Sequence, residues 1–137
     1  RASSSLPFVC PIAYVDGEPM LDGGIADSIP IERARALGYD RNVVVLTRNR
    51  GYRKPDKKGV VPPLMYRKYP ALREAIANRN KLYNTQLELI ERLEDEGEIV
   101  VIRPEKPIVV DRMERDVTKL LDLYNEGYDC ASKIKFE

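Results

Sequence analysis

A carboxylate at a sharp backbone turn is the chemical group this sequence sets out most plainly. Asp22 precedes Gly23 and Gly24, between the short extended run Pro19-Met20-Leu21 and the stretch Ile25-Ala26-Asp27-Ser28-Ile29-Pro30-Ile31. Two glycines let the chain adopt φ > 0 there and let another segment or a substrate come close. Within hydrogen-bond reach of a serine hydroxyl, such a carboxylate accepts the hydroxyl proton during attack on an acyl carbon and returns it to the leaving alcohol. Asp-Gly is also a common β-turn pair, so the spacing fits a purely structural turn as well as a positioned base. No histidine occurs in the 137 residues, which rules out a Ser-His-Asp triad or a His-based zinc site made from this chain alone. A Ser-Asp dyad needs none.

A second chemical feature is basic. Between residues 48 and 58, Arg48, Arg50, Arg53, Lys54, Lys57 and Lys58 face a single acid, Asp56, with Gly51 and Pro55 interrupting regular structure. The cluster reads as a solvated loop or as a contact for anionic head groups, each basic residue near such a surface contributing about 1 kcal/mol. The net charge of +1 supplies no broad basic field, so no nucleic-acid partner is expected. Cys10 and Cys130 lack Cys-x-x-Cys spacing and read as reduced, partly buried thiols, and no metal site is expected.

The elements that would position these groups follow from local pattern. Asp16-Gly17 between Ile12–Val15 and Glu18–Leu21 predicts a tight hairpin with a primed turn, presenting Asp22 at the end of its second strand. Ser28 is a candidate N-cap for a helix running from Pro30 to Leu37 and stopped by Gly38. The β-branched runs 42–47 and 98–103 predict strands buried on both faces, lying parallel in one sheet. Helices are expected from Pro70 to Ile76 and from Asn80 to Glu96, the second with Tyr83, Leu87, Ile90 and Leu93 on its buried stripe. A capping box at Asp111 and Glu114 opens a last helix, Arg112 to Lys133, whose Val117, Leu120, Leu121, Tyr124, Tyr128 and Ala131 pack against the sheet. Gly127 in that helix implies a close neighbour.

Arg1-Ala2-Ser3-Ser4-Ser5-Leu6-Pro7, the hairpin Tyr14-Val15-Asp16-Gly17-Glu18, and Leu21-Asp22-Gly23-Gly24 with Ile29-Pro30-Ile31 together resemble the second half of a bacterial patatin-like phospholipase. Similar residues continue at Thr47-Arg48-Asn49-Arg50-Gly51-Tyr52, Tyr69-Pro70-Ala71-Leu72, Arg79 with Tyr83-Asn84, and Leu123-Tyr124 with Gly127-Tyr128. In that family the Asp of an Asp-Gly-Gly motif partners a serine in a Gly-x-Ser-x-Gly elbow, so the resemblance implies that Asp22 is the dyad base, with Gly23 and Gly24 shaping its turn. No Gly-x-Ser-x-Gly occurs here, and none of Ser3, Ser4, Ser5, Ser28 and Ser132 has glycine at both second neighbours. The chain therefore reads as a C-terminal fragment that holds the base without the nucleophile and is inactive by itself.

The order hairpin, helix, strand, helices, strand, helix suggests an α/β fold, a layered sheet with parallel strands flanked by helices, and the resemblance implies that it is the C-terminal portion of a patatin-like fold ending in a helical region. Residues 1–60 would be the C-terminal part of the catalytic domain, and 61–137 a helical region with one further strand on the same sheet. The implied activity is hydrolysis of lipid or phospholipid acyl esters without a cofactor. The alternative is a non-catalytic module that binds anionic lipid or phosphate through residues 48–58. No apolar stretch approaches the roughly 20 residues of a membrane span, and the reduced reading of Cys10 and Cys130 favours a cytoplasmic setting, with peripheral contact at a membrane expected of a lipid hydrolase. A sheet that has lost part of its fold would expose an edge or face and invite homo-oligomers.

Overall fold

Asp16 and Gly17 carry the left-handed backbone, φ 51° and 84°, that a two-residue primed turn requires, and the predicted hairpin forms around them. β1 (Ala13–Val15) and β2 (Glu18–Met20) pair antiparallel in the register Ala13↔Met20, Tyr14↔Pro19 and Val15↔Glu18. The structure, a computed structural model, describes residues 1–111 and 113–134. The chain is mixed α/β, with a second small sheet of parallel β3 (Asn42–Val45) and β4 (Ile99–Ile102). Three helices complete it: α1 (Ile31–Ala36), α2 (Pro70–Asp95) and α3 (Val117–Ser132). Its contacts group into two compact units interleaved along the sequence, residues 1–30 with 54–88 and residues 31–53 with 89–137, a partition other than 1–60 and 61–137.

The first unit holds the hairpin, 3-10 turns at Ala2–Ser4 and Gly23–Ile25, and α2 up to Glu88. Two expected helices merge into the single α2, because Ala77, Asn78 and Arg79 contain no breaker between them. Side chains of α2 strap residues 54–57 to the helix. Asn84 accepts the Lys54 N–H and donates to the Lys54 carbonyl, at 2.8 and 2.9 Å, and Asn80 donates to the carbonyls of Pro55 and Lys57. Phe8 and Tyr66, both at positive φ, meet in a tilted ring contact with centroids 5.5 Å apart, and the Phe8 N–H donates to the Tyr66 hydroxyl. Ile25 and Leu87 are its buried apolar side chains.

In the second unit β3 and β4 run parallel, Asn42 opposite Ile99 and Val45 opposite Ile102, as the two apolar runs predicted. Burial on both faces did not follow. Val44, Leu46 and Ile99 face the core, whereas Val43, Val45 and Val100 are exposed, Val45 at 69%. A continuous β-branched run is compatible with two covered faces, but only the tertiary partner decides, and here the second face, with Val45 and Ile102, meets Leu123, Gly127 and Cys130 of the C-terminal helix only across a cavity that leaves its valines exposed. Ile31, Ile90 and Leu93 complete the core here.

α3 differs from expectation in three ways. Its N-cap is Asp116, whose carboxylate accepts from the N–H groups of Thr118 and Lys119. Glu114 instead accepts from the Arg115 and Asp116 N–H groups, so the Asp111–Glu114 box gives way to a cap five residues later. Arg112, the expected first residue, lies outside the described residues. No residue of α3 is buried, and Val117, Leu121, Tyr124 and Tyr128 form an exposed apolar stripe where packing on the sheet was expected. Nothing lies within 4 Å of a Cβ built on Gly127, so the close neighbour expected there is absent among the described residues. Ser28 likewise caps no helix, and α1 begins at Ile31.

Candidate active site

The Asp22 turn is assembled from backbone first. The Asp22 N–H donates to the Ser5 carbonyl at 2.9 Å, tying the end of the hairpin to the N-terminal segment. Asp22 then caps the 3-10 turn Gly23–Ile25, its Oδ1 accepting the Gly24 N–H at 2.7 Å. Among the described residues Oδ2 accepts no hydrogen bond, and the side chain is half-buried. Neither Gly23 nor Gly24 takes the positive φ expected of it. Gly24 serves close approach instead: a Cβ there would lie 3.0 Å from Asp22 Oδ1 and 3.6 Å from Arg79 Nη2. For Gly23 no atom comes within 4 Å of a Cβ, and that residue is exposed.

Around this turn stand four side chains, Ser28, Asp27, Arg79 and Gln86, that local sequence reasoning gave no part in the site. The Gly24 carbonyl accepts two hydrogen bonds, from Ser28 Oγ at 2.7 Å and from Arg79 Nε at 2.9 Å. At the far end of the loop Asp27 Oδ1 accepts from Gln86 Nε2, and the Asp27 N–H donates to the Gly23 carbonyl at 2.9 Å. Gln86 is buried, and its Oε1 has no partner among the described residues. Arg79, Tyr83 and Gln86 are spaced i, i+4, i+7 on α2, which puts them on one helix face. That spacing was visible in the sequence; what it faced was not. Beside the turn, Leu21 lines a small apolar cavity of about 120 Å³ with Ile12, Pro19, Met20, Tyr69 and Leu72.

The basic residues divide between the units. In the second unit Arg50 pairs with Asp95 at 2.7 Å and Glu94 at 3.2 Å, and Arg53 pairs with Glu91 at 2.7 Å. Arg103 joins the cluster through Glu94. The Arg53 hydrogen bond, with help from the Gly51 N–H, holds the Glu91 carboxyl down to about 2 against the opposing effect of its burial. Asp95 in turn raises the Arg50 guanidinium above its ordinary value. Arg48 sits over the Tyr52 ring, 4.9 Å from its centroid. In the first unit the Lys54 ammonium lies 3.8 Å from the centroid of Tyr83, and Lys57 and Lys58 are exposed, with no ion pair among the described residues. Cys10 and Cys130 are free, half-buried thiols, one in each unit. Among the described residues no group of three or more acidic or thiol side chains could hold a metal, and no helix is long and apolar enough to cross a membrane.

The second unit also contains an apolar cavity of about 240 Å³ lined by Val45, Ile102, Pro104, Ile108, Leu123 and Cys130, and Gly127 opens onto it. Residues 69–135 match the family model of a domain of unknown function (DUF6363). No curated protein and no solved structure matches the chain.

Proposed function

We propose that this chain supplies the carboxylate base of a patatin-like serine acyl hydrolase, with Asp22 as the dyad aspartate and the nucleophilic serine contributed by residues outside this chain. The supporting observation is the state of the Asp22 carboxylate: one oxygen fixed at 2.7 Å by the Gly24 N–H, the other without a partner among the described residues. A base must be oriented and still have a lone pair to offer, and this turn meets both needs. Asp22 Oδ2 takes the serine proton as the oxygen attacks the ester carbon, and gives it to the departing alcohol. The dyad requires no metal or organic cofactor.

The exposed apolar face of β3 and β4 fits a sheet that continues in the rest of a patatin-like fold, and lipid acyl esters, phospholipids among them, are the substrate class. The setting that follows is cytoplasmic, with contact at a membrane surface. The test is hydrolysis of a medium-chain acyl ester by the full-length gene product. Asp22→Asn is expected to lower turnover by about 100-fold or more; substantial residual turnover overturns the assignment.

The second reading, binding of anionic lipid or phosphate by residues 48–58, draws on exposed Lys57 and Lys58, whereas Arg50 and Arg53 are already neutralised by Asp95, Glu94 and Glu91. It predicts salt-sensitive binding to anionic vesicles that is lost with Lys57→Gln and Lys58→Gln together. Absence of binding at low salt removes it.

A further inference from the structure

We infer that Arg79 is a positioning residue for Asp22, so that α2, within the stretch of no assigned function, sets the direction of the carboxylate. The inference rests on the hydrolase reading for its catalytic consequence but not for its geometry.

A carboxylate on a glycine-flanked turn is a poor base unless something fixes the turn, because glycine has more backbone freedom to lose than any other residue. Here Gly24 is held at both ends. Its N–H donates to Asp22 Oδ1, and its carbonyl accepts from Arg79 Nε and Ser28 Oγ. Ser28 belongs to the loop itself and can move with it. Arg79 belongs to a helix of 26 residues and ties the loop to a rigid element. Its hydrogen bond is charge-assisted, stronger than the neutral one from Ser28. Seven residues along the same helix face, Gln86 holds Asp27, so the loop is braced at two points, on either side of Ile25.

The fit around position 24 is tight, a Cβ there lying 3.0 Å from Asp22 Oδ1. A side chain there would enter the space between Asp22 Oδ1 and Arg79 Nη2. Arg79 does not itself touch the reacting atoms in this arrangement. It acts through Gly24, and its loss would leave Asp22 in place but free to turn away from the serine, an error of the kind that costs about 100-fold in rate for a displacement near 1 Å.

Two readouts on the full-length gene product test this. With ¹⁵N-glycine labelling, the Gly24 amide proton in wild type should show the downfield shift of a strong hydrogen bond to a carboxylate. Arg79→Gln should move it upfield, Arg79→Lys should move it less, and the melting temperature should stay close to wild type. In ester hydrolysis, Arg79→Gln should lower kcat about 10- to 100-fold with KM nearly unchanged, Arg79→Lys should recover part of the loss, and added guanidinium ion should partly rescue Arg79→Ala. A Gly24 amide that stays in place in Arg79→Gln overturns the inference, as does a variant in which KM rises while kcat holds. Asp22→Asn in the same assay reads the hydrolase proposal separately. Activity indifferent to that substitution removes the hydrolase reading, while movement of the Gly24 amide would still uphold the brace.

Discussion

Asp22 Oδ1 and the Gly24 N–H stand 2.7 Å apart, and the space a side chain on Gly24 would need is already bounded by that oxygen and by Arg79. Gly24→Ala should therefore lower ester hydrolysis at least about 10-fold while costing only about 1 kcal/mol of stability, as read by kinetics and urea unfolding. Gly23→Ala, with open space around it, should do much less. The ion-pair cluster makes a different prediction. Glu91 is held down to about 2 chiefly by Arg53, below the 4.5 of an unpaired glutamate, so the folded state favours the ionised form. The resulting stabilisation, on the order of 2–3 kcal/mol, is complete above about pH 4.5 and fades as the pH falls towards 2. Urea unfolding across that window should show the loss in wild type and a flatter profile in Glu91→Gln. Asp22 was legible because a carboxylate before two glycines announces itself within three residues. Arg79 and Gln86 were not, because their partners lie 55 and 59 positions away.

The hairpin was readable from Asp16-Gly17 alone, since a primed turn is decided by the two residues that form it. The end of α2 is decided equally locally. Gly97, at φ 73°, donates to the Glu94 carbonyl while the Glu98 N–H donates to Leu93, the paired bonds of a Schellman cap. Gly97→Ala forces a side chain into the left-handed region and should cost about 1 kcal/mol, seen as a lower urea midpoint with an unchanged slope. α3 was harder to read, because Asp111, Glu114 and Asp116 all offer capping oxygens within six residues and the sequence does not rank them. The strands were legible as strands and as a parallel pair, but not in their burial. Val43 and Val44 are the same residue type, and only the layer on one side separates an exposed valine from a buried one.

At the level of the whole molecule, exposed Val43, Val45 and Val100, together with the stripe Val117, Leu121, Tyr124 and Tyr128, give the chain two apolar surfaces. Such surfaces favour self-association. Sedimentation of this chain should show mass rising with concentration, and Val45→Lys with Leu121→Lys should suppress the rise. The partition into two units has a further consequence. Each is built from two separated segments, and each interrupts the other. Residues 69–135 hold β4 without its partner β3, and the helix that braces the Asp22 turn without the turn. Expressed alone, that stretch should show no cooperative melting by circular dichroism. A recombination breakpoint anywhere between residues 31 and 88 would divide both units, so neither would pass through such an exchange whole, whatever boundary the match over residues 69–135 draws.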